Sequence, residues 1–375
     1  MIAADAVGGI LLGSVTLYAV LGGADFGGGL WDLLAGGDRR GSVPRRLIDD
    51  TITPVWEANH VWLVFCLVIF WTAFPHAFAA VMTTLALPLW LALLGIVLRG
   101  AGFAFRKEVH GLGAQRLFGA TFAFSSLLVP FFMGTVVGAI ATGRVPASAS
   151  GATLGAWTSG TCLLTGLLFT GACGYLAAVY LAGEATRGGD ERMASYFARR
   201  AAGAGIVTGG LSLATLLSLH GTLLYSRLTG RALPLVIAAG VCGLAVLVLL
   251  LIGHQRTWWP RTIAALGVAA VVWGWGVAQY PVLLPGTGIT LSNAGAPDQT
   301  LVAILWLFGA VVVLIGPSFG LLFALHGRNM LHSDEPGTSA PAVAAVPAVA
   351  GVASGRTRTA ALALVALAVI RRLRR

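Results

Sequence analysis

The chain has 375 residues, of which 57% are hydrophobic and only 10% are charged. Soluble domains carry about 25% charged residues, and a soluble fold of this length could not hide so much apolar surface from water. The composition therefore excludes an ordinary soluble protein. It predicts an all-α, polytopic integral membrane protein whose apolar surface is covered by lipid.

Nine apolar stretches are long enough to cross a bilayer as helices of about 20 residues. They lie near residues 7–34, 57–74, 77–104, 117–142, 157–183, 201–225, 232–253, 261–280 and 300–326. Pro75 predicts a tight turn between the second and third spans. The sequence Leu-Pro-Leu occurs at 87–89 and again at 233–235, which favours two four-helix halves followed by a ninth helix.

Composition divides the chain into three regions. The transmembrane helical domain covers residues 1–330. Residues 331–359 are dominated by Pro, Ala, Val, Ser and Gly, which predicts a flexible cytoplasmic linker. Residues 360–375 combine an apolar run too short to cross a bilayer with four terminal arginines, which predicts a short interfacial tail.

The basic residues predict the orientation of the chain. If the N-terminus lies outside, all of the 24 Lys and Arg residues except Arg144, Arg227 and Arg231 fall on the inner side. Cytoplasmic loops carry such an excess, and the odd number of spans then places the C-terminus inside. The net charge of +10 is thereby explained by membrane orientation and anionic lipid, so no nucleic-acid partner is predicted.

Asp25 lies well inside the first span, between Gly22-Gly23-Ala24 and Phe26-Gly27-Gly28-Gly29. Ionisable groups inside a membrane span are costly and indicate function by default. The glycines would let another helix approach closely. Asp25 is therefore either a packing acid bonded to a neighbour or part of a proton route.

Glu57 stands in a polar and aromatic cluster at the start of the second span, with Trp56, Asn59, His60 and Trp62. Trp56, Glu57 and His60 share roughly one helix face. The cluster is either an interfacial anchor, since Trp favours the headgroup level, or an inlet for cytoplasmic protons, since His and Glu exchange protons near neutral pH.

Arg99 has two interpretations, because it either extends to the inner interface or pairs with an acid such as Glu57 or Asp25. The seven histidines are scattered, and the sequence contains no CxxCH for covalent haem. Cys66, Cys162, Cys173 and Cys242 lie in apolar runs and are interpreted as small packing residues. No metal site and no catalytic residue is predicted on this chain.

Three segments resemble subunit II of the cytochrome bd-type quinol oxidases, including the cyanide-insensitive branch. They are residues 17–27, residues 54–64 running on to 73–75, and residues 98–106. Their order and spacing resemble the family over roughly residues 7–330. Many members have Trp-Asp-x-Asn-Glu in the second segment, whereas this chain has Glu57 and His60 at the two acidic positions.

The resemblance implies a subunit of a bacterial cytoplasmic-membrane complex that oxidises quinol and reduces dioxygen to water. It implies haem b and haem d in partner subunit I, contact with the quinol pool through that complex, and no redox chemistry by this chain alone. Glu57, His60 and Asp25 become candidates for a proton pathway, and Trp56, Asn59, Trp62 and Arg99 for structural or subunit contacts. The sequence leaves open whether a structural quinone binds here.

A second function from another class fits the same composition. A proton- or ion-coupled secondary transporter would also be polytopic, with two pseudo-repeats. Asp25 and Glu57 both lie in the first half, however, and the second half has no matching charged pair. The sequence therefore favours the oxidase subunit over the transporter.

Overall fold

The computed structural model describes residues 2–36, 38–52, 56–108, 112–148, 151–253 and 258–327. The predicted linker at 331–359 and the predicted tail at 360–375 lie outside these ranges. Contacts divide the chain into two units, Met1–Val312 and Val313–Arg375. The packing described below concerns the first unit.

The described chain is helical apart from one small hairpin. A π-helical turn (Tyr18–Gly22) joins the first two helices, and the first part of the chain contains α1 (Ile2–Leu17), α2 (Gly23–Leu33), α3 (Asp38–Ile52), α4 (Trp56–Ala73), α5 (Pro75–Thr84), α6 (Ala86–Glu108), α7 (Leu112–Ala141) and α8 (Leu154–Trp157). The second part contains α9 (Gly160–Arg187), α10 (Glu191–Ser218), α11 (Leu223–Leu228), α12 (Leu233–Leu251), α13 (Trp259–Gln279), β1 (Val282–Leu284), β2 (Ile289–Thr290) and α14 (Asp298–Gly327).

Local sequence explains where several of these helices begin. The side chains of Ser159, Asp190 and Thr222 each accept a hydrogen bond from the backbone amide three residues further on. Such caps satisfy amides that the first helical turn leaves without a partner. Pro75 occupies the first turn of α5, where its missing N–H costs nothing.

Six continuous helical segments in the described ranges are long and apolar enough to cross a membrane. They are Ile2–Leu33, Leu117–Ala141, Gly160–Arg187, Glu191–Ser218, Leu233–Leu251 and Trp259–Gln279. Asn59–Ala73 and Pro75–Thr84 form a bent pair, and Ala86–Gly102 and Asp298–Leu314 are shorter apolar helices. The all-α, multi-pass membrane architecture is thus confirmed, whereas the count of nine spans and their grouping into halves stay predictions.

The chain bends sharply where Pro75 follows Phe74. The axes of the two flanking helices differ by 119°, and Phe74 leaves the helical region with φ −133° and ψ 59°. A residue before proline is disfavoured in the α conformation. The predicted third span, 77–104, is also interrupted at Leu85, because Pro88 has no amide to donate to the carbonyl of Thr84.

A hairpin between α13 and α14 covers this bend. Strands β1 and β2 pair antiparallel, and Leu284 in β1 and Ala294 after β2 are buried in one apolar cluster with Val7 and Phe74. The amide of Ala296 donates to the carbonyl of Ala73 at 2.8 Å. The hairpin segment therefore supplies a hydrogen-bond partner to a carbonyl at the end of α4, which a broken helix in an apolar setting requires.

Candidate functional site

The first span is not a uniform α-helix, because the π-helical turn separates α1 from α2. A π turn disturbs the regular backbone ladder and often marks a functional site. The side-chain amide of Asn59 in α4 donates to the carbonyl of Leu21, which belongs to this turn, at 3.3 Å. Asn59 is buried at 6% exposure, so α4 is tied to α1–α2 by a polar contact inside the protein.

The glycines after this turn bring α2 against two other helices. A methyl group at Gly27 would overlap the backbone carbonyl of Cys173 in α9, and one at Gly29 would overlap the side chain of Ser126 in α7. Only a residue without a side chain permits these approaches. The glycine-rich stretch is thus a contact surface that brings α2, which carries Asp25, against α7 and α9.

Asp25 and Arg99 form a buried, bidentate ion pair. Nη1 of Arg99 donates to Oδ2 of Asp25 at 3.0 Å, and Nη2 donates to Oδ1 at 2.6 Å. The same Nη2 donates to the backbone carbonyl of Asp25 at 3.1 Å. The side chains of Arg99 and Asp25 are 2% and 1% exposed. Arg99 therefore pairs with Asp25 in this structure and does not extend to the inner interface.

Further groups surround the guanidinium of Arg99. Its Nε donates to the hydroxyl of Ser126 at 3.0 Å. The rings of Phe26 and Phe122 lie 4.8 and 5.1 Å from its central carbon. The paired hydrogen bonds between Arg99 and Asp25 are bidentate and charge-assisted, a class that is among the strongest hydrogen bonds in proteins. Because both charges are desolvated, the loss of one partner would leave the other buried without its opposite charge.

Phe26 links the ion pair to α4. The ring of His60, which is half-buried, meets the ring of Phe26 edge-on at 6.3 Å. Trp62 packs against the cluster that contains Tyr18 and Phe26. The structure thus brings Arg99, paired with Asp25, and His60 to the ring of Phe26, while Trp62 packs on the same cluster and Asn59 bonds to the neighbouring π turn.

Trp56 and Glu57 belong to the first turn of α4, but their side chains lie outside the described part of the structure. The helix places Glu57 one turn before His60, as the spacing predicts. The roles assigned to both residues from sequence stay predictions.

Sequence reasoning missed Ser126, Phe26 and Phe122 as neighbours of Arg99. One signal was present for Ser126, because Ser125-Ser126 interrupts an otherwise apolar stretch of α7. A small apolar cavity also lies beside Tyr18, Phe26, Val129, Met133 and Cys173. Within the described ranges, no group of three or more His, Cys, Asp or Glu side chains is arranged to hold a metal ion.

Three comparisons with known proteins agree with this architecture. Residues 4–326 match the family described as cytochrome bd terminal oxidase subunit II. The cytochrome bd ubiquinol oxidase subunit 2 of Bacillus subtilis (strain 168) is 25% identical over 292 residues, which cover 76% of this chain and 84% of the relative. The cytochrome bd-I ubiquinol oxidase subunit 2 of Escherichia coli (strain K12) is 26% identical over 137 residues, covering 36% and 34% of the two chains.

A solved structure shares the fold. A chain of the bd oxidase from Geobacillus thermodenitrificans aligns with a TM-score of 0.71 at 22% identity, covering 88% of this chain and 100% of that one. The family match spans the Asp25–Arg99 pair and the whole bundle up to α14. The resemblance inferred from sequence is therefore confirmed, and the chain belongs to the cytochrome bd terminal oxidase subunit II family.

Proposed function

We propose that this chain is the non-haem subunit of a quinol oxidase that reduces dioxygen to water. The family match over residues 4–326 carries this proposal, and the names of the curated relatives supply ubiquinol as the class of reductant. The partner in this proposal is subunit I, which would hold haem b and haem d. No observation on the described residues favours the rival function, a secondary transporter.

The second element of the proposal is delivery of cytoplasmic protons to the partner. Reduction of one dioxygen to two waters consumes four electrons and four protons, and two quinols supply the electrons. Protons drawn from the inner side would conserve energy as charge separation across the membrane. The excess of arginines on the predicted inner side supports this orientation, with the N-terminus outside and the C-terminus inside. Reporter fusions after Asp5 and Arg375 test it.

The buried contacts favour different roles for the three acid–base candidates. Neutralising Asp25 would leave the guanidinium of Arg99 charged and 98% buried, which is expensive. We therefore assign Asp25 to holding Arg99 and the π turn in place, not to carrying protons. Glu57 and His60, one turn apart on α4, remain the proposed carriers.

Glu57→Gln tests the proposal, because glutamine keeps the shape and most hydrogen bonding of glutamate but cannot ionise. General acid–base groups contribute about 10²–10⁴-fold, and parallel entry of water would reduce the loss of turnover to about tenfold. The measurement is quinol-driven oxygen uptake and proton generation in vesicles that contain the assembled, haem-loaded complex.

Glu57→Asp is the matched control, since it retains a carboxyl group and should keep most of the turnover. Wild-type oxygen uptake and proton generation in Glu57→Gln would contradict proton delivery through Glu57. A visible spectrum of the purified complex tests the broader proposal separately, because a colourless complex with substrate-stimulated transport would favour the transporter.

A further inference from the structure

Arg200, near one end of α10, has no carboxylate partner among the described side chains. The ion pairs among the described side chains join Arg45 to Asp32, Arg99 to Asp25, and both Arg187 and Arg261 to Glu184. None of them includes Arg200. Within the described ranges its one hydrogen bond is a long contact of 3.4 Å from Nη1 to the carbonyl of Tyr196 in the same helix. Most of its N–H donors are therefore available to a ligand.

Two aromatic rings hold this guanidinium. Its central carbon lies 3.4 Å above the ring of Tyr196 and 6.0 Å from the ring of Trp31. Trp31 is itself fixed, because its indole N–H donates to the buried carbonyl of Gly174 at 2.8 Å. A stacked guanidinium on a fixed support loses little further freedom when it binds an anion.

Other cations stand at the same end of the bundle. Arg46 in α3 and Arg192 and Arg199 in α10 are exposed, and no ion pair is described for any of them. Leu47, next to Arg46, and Tyr196 both pack against the buried cluster of Ala185, Met193 and Ala194, so α3 lies beside the junction of α9 and α10. The described carboxylates of this end include Asp32, Asp49, Asp50, Glu184, Asp190 and Glu191, and no described ion pair joins any of them to Arg200. The side chain of Asp190 caps α10 through the amide of Met193.

The surroundings of Arg200 are those of a membrane interface. The apolar run of α10 begins at Ala201, and Tyr, Trp and Arg are typical of the headgroup level. Val207, two turns further along the same face, is 59% exposed and Ile206 beside it is 64% exposed. An acyl chain could lie along this face while its headgroup reaches Arg200.

We propose that Arg200 is the centre of a binding site for an anionic phospholipid, whose phosphate it recognises against the rings of Tyr196 and Trp31. Guanidinium groups bind phosphate oxygens through paired N–H donors. Arg46, Arg192 and Arg199 add positive potential around the site, which attracts anionic headgroups. The ligand is a lipid and not free phosphate, because the exposed apolar face of α10 continues from the cation.

Native mass spectrometry of the intact oxidase complex tests this site. The complex is incubated in detergent with dioleoyl phosphatidylglycerol or dioleoyl phosphatidylcholine, and the bound lipids are counted. Arg200→Gln should reduce retention of phosphatidylglycerol about fivefold, the effect of one basic residue at a membrane surface. Arg199→Gln removes the same charge from the same helix but leaves the guanidinium of Arg200 on its aromatic support, so it should reduce retention clearly less than Arg200→Gln does.

If Arg200→Gln and Arg199→Gln lose phosphatidylglycerol to the same extent, the site is overturned, because the lipid then responds only to the total positive charge of this surface. Equal retention of phosphatidylcholine and phosphatidylglycerol would overturn it as well, and full displacement by inorganic phosphate would identify free phosphate as the ligand. If Arg200→Gln does not assemble, Arg200→Lys carries the test. Lysine keeps the charge but not the planar fork, so partial loss supports the site and wild-type retention contradicts it.

Discussion

The membrane helices of this chain occupy two different environments. In the most apolar stretches of Leu117–Ala141 and Gly160–Arg187, 56% and 50% of the residues are buried, against 6% and 11% for Glu191–Ser218 and Leu233–Leu251. The glycines differ accordingly: a methyl group added at Gly134 or Gly166 would meet backbone atoms of another helix, whereas one added at Gly209 or Gly240 would meet no atom of another described helix within 4 Å. The same residue type is thus a packing requirement at Gly134 and Gly166, whereas Gly209 and Gly240 face open space.

The charged residues divide in the same way. The Asp25–Arg99 pair lies where α2, α6 and α7 surround it, and it is almost fully buried. The Glu184–Arg261 pair lies at the end of α9, with its side chains 33% and 14% exposed. A charge in a membrane protein needs either a complete protein shell or access to the aqueous interface. The comparison predicts that equivalent substitutions in the two regions have very different costs.

The largest difference is expected between Asp25→Leu and Glu184→Gln. Asp25→Leu leaves Arg99 charged and buried, which costs about 3–5 kcal/mol, whereas the partly exposed pair of Glu184 contributes about 0–1 kcal/mol. Denaturant titration of the assembled complex in detergent measures both. The double variant Asp25→Leu/Arg99→Met should recover most of the loss, because a buried ion pair is often replaceable by apolar side chains. Additive losses in the double variant would contradict a mutually dependent pair.

A smaller difference is expected between Gly27→Ala and Gly209→Ala. The added methyl group at Gly27 meets the carbonyl of Cys173, so α2 and α9 must separate, at a cost of about 1–3 kcal/mol. At Gly209 the methyl group enters open space, and alanine favours the helix by up to about 1 kcal/mol. Denaturant titration of the assembled complex in detergent compares the stabilities of the Gly27→Ala and Gly209→Ala variants. Indistinguishable stabilities would show that the close α2–α9 contact does not constrain the folded protein.

The smallest difference concerns single hydrogen bonds. Asn59→Leu removes the side-chain donor to Leu21 in the π turn, and the expected cost is about 1 kcal/mol. Ser212→Ala removes a hydroxyl that bonds only within its own helix, to the carbonyl of Thr208 at 2.9 Å, and it should be nearly neutral. Local hydrogen exchange at residues 18–22 gives a second readout. Unchanged protection in Asn59→Leu would mean that the π turn is stable without this contact.

The sequence predicted the membrane class, the family and the residues that form the ion pair. It left Asp25 and Arg99 with alternatives, because pairing between residues 74 positions apart depends on how α2 and α6 are aligned. No local pattern specifies that alignment. Ser126 and Phe122 were missed for the same reason, since nothing in their own segment indicates which helix they face.

The sequence patterns also did not predict two local features of the fold, the interruption of the third span and the small hairpin. The apolar stretch 77–104 predicted one helix, but the structure separates α5 from α6 at Leu85, where Pro88 removes a backbone donor. The hairpin of β1 and β2 gave no clear signal, because its strands are only three and two residues long. Its position depends on the apolar cluster around Phe74, which is contributed by distant parts of the chain.

The bond from Ala296 to the carbonyl of Ala73 has a consequence for biosynthesis. The bend after α4 enters the membrane early, but the amide that satisfies its carbonyl belongs to a segment made more than 200 residues later. At about 5–20 residues per second, the ribosome needs tens of seconds to reach that segment. During this interval the bend must rely on water or on the insertion machinery. The segment before α14 therefore completes the hydrogen bonding of the bend after α4, and a chain released before residue 296 leaves this carbonyl without its native partner.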